Sequence, residues 1–398
     1  MDLIVTQPEA AWIKLDLLAH GIEIDPSLRH LGRTGASIAI RKYFYNSPVW
    51  DDARFPRPQE LRILGLVVGL NSYRSSPWRL RWLDEERGLQ LEHSVSTIQY
   101  PADTIQDLDL LAAGGKAARI ANLYGGAALA FFSPRNCYFF TDGSECQFCS
   151  LAGTAANARD LRNFLTESDI STVVDAVLQS HSSRIEQIML VGGNMRDLNA
   201  GFTHHVGLAR AAAEAIARAG LSQQVSIHVA TMPPRDLALL DTLGQISNLH
   251  VMFNLEVWDP DTFSRLCPGK AKDYGRDNML GALERLRDVI GAYRAHSLLV
   301  TGLESPETTV AGATALAEMG ISPIINIYHS DQHSRLGMGV RPSFAQLAEV
   351  ASGLQAIYGR YPLLPYWRTC GRNAIDAEAQ SGLFRSSAPE FLDHQRGE

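Results

Sequence analysis

Residues 136–149, NCYFFTDGSECQFC, hold three of the chain's five cysteines, Cys137, Cys146 and Cys149, in a CX8CX2C array. Three thiolates do not close a four-ligand site. A tetrahedral structural zinc takes four nitrogen or sulfur ligands, and a [4Fe–4S] cluster is normally held by four cysteines, so three leave one iron open to a small molecule. The array directly follows an apolar β-type run, the first of six: 127–132, 187–191, 225–230, 250–255, 296–301 and 323–328. Between these runs, residues 170–181, 204–219, 276–290 and 306–319 carry apolar side chains at three- and four-residue spacing, the period of amphipathic helices. Six βα units in series predict a parallel sheet, because each connection is long enough to hold a crossover helix. The strand runs are almost continuously apolar, which fits a sheet buried on both faces. An open doubly wound sheet and a partial (β/α)6 TIM-like barrel both satisfy this pattern. In either, ligands gather at the C-terminal ends of the strands, where the array falls.

Outside the βα series the chain reads differently. Residues 1–115 are expected to form an N-terminal α+β accessory element, with an apolar run at 61–70 and a hairpin turning at 84–88. Its Arg74, Arg79 and Arg81 would contact an anionic substrate or partner, or simply occupy a solvated strand face. Residues 116–340 would be the barrel core and 341–398 a helical extension. Of the 398 residues, 45% are apolar and 20% charged, with a formal net charge of −7. A mildly acidic chain without long basic runs is poorly suited to gripping nucleic acid. The start, MDLIVTQPEAAWIKLDLL, lacks the pattern of a secretory signal, and no apolar stretch approaches the ~20 residues that cross a bilayer. Five cysteines, three of them clustered, are no disulfide framework. A reducing cytoplasm, with no membrane partner, is therefore the expected location.

Three cysteines after the first strand, with Phe148 just before the last of them, resemble the radical S-adenosylmethionine (SAM) superfamily over roughly residues 125–335. The departure is the first gap, eight residues where most members have three. The resemblance implies that Cys137, Cys146 and Cys149 bind a [4Fe–4S] cluster whose open iron is chelated by SAM. It places Phe148 near adenine. Val191-Gly192-Gly193-Asn194 is similar to the family's GGE motif, which receives the SAM amino group; glycines permit positive φ and close approach of a ligand, and Asn194 replaces the usual acid. Asn254-Leu255-Glu256 and Arg276 resemble a biotin-synthase-type arrangement, implying that Arg276 binds the SAM carboxylate through its planar fork. Glu256, in an otherwise apolar run, should face a cavity or a partner, because an unpaired buried carboxylate is costly; a contact to the SAM ribose or to substrate is expected. Gly302 matches the second glycine of the family's GxIxGxxE region, although Leu298 stands at the first and Glu304 falls one residue early. Backbone near Ile325 would meet adenine. The rim after it carries Tyr328, His329, Asp331, His333 and Ser334, with His329 a catalytic candidate. Cys267 or Cys370 would donate a hydrogen atom if it faced the radical, and Cys370 is taken as the third catalytic candidate beside Glu256 and His329.

The expectation is an oxygen-sensitive radical SAM enzyme acting on a small molecule by rearrangement, carbon–carbon cleavage, epimerisation or group transfer. The setting would be specialised-metabolite or cofactor biosynthesis, with a flavodoxin or ferredoxin as electron donor. There is no Asp-x-His-x-x-Gly cobalamin signature, and too few cysteines remain for a second four-cysteine cluster. One alternative is modification of RNA or peptide by the same chemistry. Another is a non-redox barrel or binding protein in which the cysteines hold zinc, with His181, His204 or His205 as fourth ligand.

Overall fold

All six apolar runs become neighbouring parallel strands of one sheet in the computed structural model, which describes residues 6–27, 60–71, 73, 76–84, 88–92, 111–112, 115–157, 162–182, 184–339, 341–368 and 370–392. The accessory region begins with α1 (Gln7–His20), started by a Thr6/Glu9 capping box. Strand β1 (Glu23–Ile24) pairs with β4 (Arg79–Asp84), which forms the expected hairpin with β5 (Gly88–Glu92). Two smaller hairpins join β2 (Glu60–Ile63) to β3 (Leu66–Gly69) and β6 (Leu111–Ala112) to β7 (Gly115–Lys116). Arg79 is paired with Glu23 at 2.7 Å and Arg81 with Asp25 at 3.8 Å, the solvated-face reading. Arg74 lies outside the described residues.

The main sheet contains β8 (Ala121–Tyr124), β9 (Ala128–Phe132), β10 (Gln187–Val191), β11 (Ser226–Ala230), β12 (Leu249–Met252), β13 (Ala295–Thr301) and β14 (Ser322–Ile327), side by side in chain order. From β9 to β14 every pairing is parallel. The sheet has two edges, β8 and β14, and so is a partial barrel. Strand β8, absent from the sequence reading, is antiparallel to β9. A three-residue loop, Gly125, Gly126 and Ala127, makes that hairpin, with the two glycines at φ of 54° and 73°; successive positive φ values are a geometry that non-glycine residues resist.

Crossovers are made by α4 (Glu167–His181), α5 (Leu198–Arg218), the α6 (Pro260–Leu266), α7 (Pro268–Asp273) and α8 (Arg276–Ile290) series, and α9 (Pro306–Glu318). Short α2 (Tyr138–Thr141) and α3 (Leu151–Asn157) sit in and after the cysteine loop. The central strands are buried on both faces instead of alternating between core and solvent, and all seven residues of β13 are buried. One face, including Ile227, Val229, Val251 and Leu299, packs under the helices. The other carries Ala128, Ala130, Met189, Met252, Leu298 and Ile324, and receives Tyr366, Cys370 and Ala374 from the C-terminal segment. That segment also covers the β14 edge, with the Ile327 amide donating to the Asn373 carbonyl at 2.8 Å. The extension continues as α10 (Phe344–Arg360) and α11 (Asp376–Gln380). It is joined to the accessory region: Trp12 meets the Phe384 ring at 5.2 Å, and buried Lys14 pairs with Glu378 at 2.6 Å. Among the described residues no helix is long and apolar enough to cross a membrane.

Candidate cofactor-binding site

The cysteine loop leaves β9 and is fastened at once to the end of β10. The Ser133 amide donates to the Val191 carbonyl at 2.9 Å, the Gly193 amide to the Pro134 carbonyl at 2.7 Å, and the Tyr138 amide to the Asn194 carbonyl at 2.9 Å. This contact explains both glycines. A Cβ on Gly192 would sit 2.6 Å from the Ser133 and Pro134 carbonyl oxygens, and one on Gly193 only 2.1 Å from the Asn136 carbonyl oxygen. Neither glycine has a positive φ, so the expected reason, left-handed backbone freedom, gives way to close approach of two backbones. Asn194, whose side-chain role the missing acid put in question, directs Nδ2 to Cys137 Sγ at 3.5 Å.

Cys137, Cys146 and Cys149 line one cavity of about 140 Å³ at the C-terminal ends of the strands, with Phe148, Gly192, Gly193, Asn194 and Glu256 in the same wall. Burial pushes the Cys137 and Cys149 thiols up, and each also feels Cys146. Cys146 is shifted the other way, by a hydrogen bond from Cys267 and by the Lys270 ammonium. Among the described residues no group of three His, Cys, Asp or Glu side chains is placed to hold a single metal ion. A single zinc needs its thiolates about 2.3 Å from one point, whereas a cubane takes each thiolate on a different iron. Three cysteine thiols lining one cavity are a donor set open to either. Two of the histidines weighed as a zinc ligand are engaged: His204 Nε2 lies 3.0 Å from the Ser133 hydroxyl, and His205 Nδ1 lies 2.9 Å from the Gly201 carbonyl. The His181 side chain lies outside the described part of the structure.

The partner of Glu256 was hidden from sequence reasoning. Glu256 sits at φ 73°, an outlier for a bulky residue, held there because its amide donates to the Leu298 carbonyl at 2.8 Å and its carbonyl accepts from the Val300 amide at 2.6 Å. Its carboxylate finds the partner that burial requires in Lys270, at 2.5 Å; Lys270 also donates to the Asn254 carbonyl at 2.9 Å. Burial opposes the Lys270 charge, but Glu256 beside it carries the net shift upward. Asn254 Oδ1, in the same cavity, is buried without a hydrogen-bond partner. The α6–α7 junction is locked onto the cysteine loop: the Gln147 amide donates to the Leu266 carbonyl at 2.8 Å and the Gly269 amide to the Ser144 carbonyl at 2.9 Å. Pro268-Gly269 between two helical stretches was the available signal. It gave no hint of which loop the junction would meet.

Other expected residues lie elsewhere. Arg276 does not line the cavity; its guanidinium stacks over Trp258 at 4.5 Å and donates to the Trp258 carbonyl at 3.1 Å. Gly302 is a turn at φ 99°, pressed by Pro342. Glu304 accepts from the Trp258 and Asp259 amides at 2.9–3.0 Å, closing the loop before α6. The Ile325 carbonyl accepts from the Ile375 amide at 3.3 Å, so the C-terminal segment meets that backbone. His329 follows β14, with Nδ1 at 3.1 Å from Asn373 Nδ2, and burial pushes its ring down to about 4. Cys370 is not in the site: its thiol meets Gln187 Oε1 at 3.7 Å, at the first residue of β10, the end of the strand remote from Gly192. Cys267 is the cysteine that reaches the cysteine loop, at Cys146.

No family model matches the chain, and no curated protein does. Solved structures similar to it include methylornithine synthase (PylB), at 14% identity and a TM-score of 0.45 over 62% of this chain and 70% of that one. A radical SAM methyltransferase from Sphaerobacter thermophilus aligns at 16% identity and a TM-score of 0.42 over 64% of this chain and 72% of that one. Coproporphyrinogen III oxidase (HemN) from Escherichia coli, described as a radical SAM enzyme, aligns at 17% identity and a TM-score of 0.36 over 61% of this chain and 54% of that one. The functional reading rests on the cysteines and their neighbours instead.

Proposed function

We propose that this chain is a radical SAM enzyme acting on a small-molecule substrate. The observation that carries the reading is the convergence of the Cys137, Cys146 and Cys149 thiols on one cavity at the C-terminal ends of parallel strands, above a Gly-Gly-Asn turn. The residues fit the implied cofactors: separate thiols for a [4Fe–4S] cluster, and an orphaned Asn254 Oδ1 beside the Glu256 carboxylate to accept ribose hydroxyls. When bound, the cluster and SAM supply one-electron reduction that releases methionine and a 5′-deoxyadenosyl radical.

The chain's own residues hold, orient and shield. The Gly192–Asn194 turn braces the loop bearing Cys137, and Asn194 Nδ2 steadies that sulfur. Lys270 pairs with Glu256 and holds it in place at its strained position just beyond β12. Phe148 and Leu336 pack with Met252 and Tyr328 over the barrel interior, closing it with apolar surface against water. Exclusion of solvent is what a reactive intermediate needs from its protein. Rearrangement, carbon–carbon cleavage, epimerisation and group transfer are the reaction classes consistent with one three-cysteine site, in specialised-metabolite or cofactor biosynthesis, with a flavodoxin or ferredoxin supplying electrons.

The test is anaerobic reconstitution with iron and sulfide, then dithionite reduction with SAM and chromatography for 5′-deoxyadenosine. Wild type is expected to form it and Cys146→Ala to form none. Co-purification of zinc with no cluster loading would refute the reading.

A further inference from the structure

A second set of polar groups at the mouth of the barrel has no role in holding the cluster. Arg341, just before α10, is half-buried, and its Nη2 is buried with no hydrogen-bond partner. Its guanidinium lies flat on Tyr73, 3.1 Å from the ring centroid. Tyr73 is itself held rigidly. Its amide donates to the Ile22 carbonyl at 2.9 Å, and its ring fills the space where a Cβ on Gly21 would stand 2.0 Å from Cδ2. The next residue after the arginine, Pro342, presses on the Gly302 turn at the end of β13, with ring atoms 3.0 Å from where a Cβ would be. Arg341 is thus fixed between the accessory element and the barrel rim.

Tyr328, the first residue after β14, has a buried hydroxyl without a hydrogen-bond partner, and its amide donates to the Thr301 carbonyl at 3.0 Å, next to the Gly302 turn on which Pro342 presses. The neighbouring Ser334 hydroxyl donates to the Asp331 carbonyl at 2.8 Å. Tyr328 belongs to the apolar cluster that Phe148 joins, and Phe148 lines the thiol cavity. Tyr328 thus shares an apolar cluster with the loop that carries Cys149, and Pro342 brings Arg341 to the same rim.

A guanidinium nitrogen buried without a hydrogen-bond partner costs more than one cation–π contact returns. Arginine's planar fork is built for carboxylate and phosphate oxygens, and a buried tyrosine hydroxyl supplies one further donor to such a group. We infer that Arg341, backed by Tyr73 and assisted by the Tyr328 hydroxyl, binds an oxyanion of the substrate, a carboxylate or a phosphate. Naming that oxyanion as the substrate's rests on the functional reading above; the anion site itself does not.

The test is thermal unfolding of the full-length protein in chloride, inorganic phosphate and succinate at matched ionic strength, for wild type, Arg341→Met and Arg341→Lys. In wild type, phosphate or succinate at tenfold over its dissociation constant is expected to raise the midpoint by on the order of 2 °C relative to chloride. Arg341→Met should show no such rise, and Arg341→Lys, which keeps the charge but loses the fork, a reduced one. Should Arg341→Met fail to fold, the reduced rise in Arg341→Lys carries the test. A response to phosphate alone assigns a phosphate ester, and one to succinate alone a carboxylate. No response in wild type, or equal responses in all three proteins, overturns the inference. Formation of 5′-deoxyadenosine without an anion response would sink the anion site alone; an anion response in a protein that co-purifies with zinc and loads no cluster would sink the radical reading alone.

Discussion

Acidification should destabilise this protein through a stack of buried histidines that takes no part in the proposed chemistry. His228 on β11, His250 on β12 and His296 on β13 stand side by side on the face opposite the helices. The first two rings stack at 4.5 Å, His250 Nδ1 lies 2.9 Å from His296 Nε2, and Tyr366 meets His228 and His296 edge-on. Burial holds His250 down to about 3 from its ordinary 6.5, with Arg368 and Arg294 pushing the same way. His228 and His296 are held down chiefly by the same burial. Between pH 6.5 and 3 the unfolded chain therefore binds a proton at His250 that the folded chain refuses, so stability falls as pH falls. On going from pH 7.5 to pH 5 the medium ends about 1.5 units below the unfolded pKa, a loss of about 2 kcal/mol from His250 alone. The assay is urea unfolding followed by tryptophan fluorescence at pH 7.5, 6 and 5, on wild type and His250→Gln. The variant should lose about 2 kcal/mol less than wild type across that range. An equal loss in the two proteins would refute the argument that His250 is held neutral.

Two further outcomes are expected at the site. Gly193→Ala must move the cysteine loop, because its Cβ would stand 2.1 Å from the Asn136 carbonyl oxygen; a loss of about 1–3 kcal/mol in unfolding free energy is expected. Iron per chain after reconstitution should fall with it, and wild-type iron content would show that the loop tolerates the change. Lys270→Met leaves the Glu256 carboxylate buried and unpaired, costing about 3–5 kcal/mol. Adding Glu256→Gln to that variant should recover part of the loss in the same urea assay, and no recovery would mean that Lys270 acts by something other than pairing.

The layout of the barrel was legible because its signals are local. Apolar runs at strand length, helical spacing at 276–290 and a cysteine loop straight after a strand each depend on a few adjacent residues, and the six strands form where those runs lie. The placement of Cys137, Cys146 and Cys149 at the C-terminal rim followed from the same order. Even the need of Glu256 for a partner could be stated, since a lone carboxylate in an apolar run is an electrostatic liability wherever it folds.

The identity of each partner was not legible, because it depends on which distant segments the fold brings together. Lys270 answers Glu256 across two short helices, and Gly192 and Gly193 are needed for the approach of Ser133–Asn136 rather than for their own dihedral angles. Cys370 is the candidate chosen from the sequence, yet the C-terminal segment carries it to the start of β10 while the α6–α7 junction presents Cys267 to Cys146. Ile325 lost its expected contact because the same segment covers β14. Arg341 and Tyr73 meet through the docking of the accessory element against the rim. Periodicity and turn chemistry are encoded within a turn or two of chain, whereas the pairing of a buried charge or a close backbone contact exists only once the sheet has set the distances between its loops.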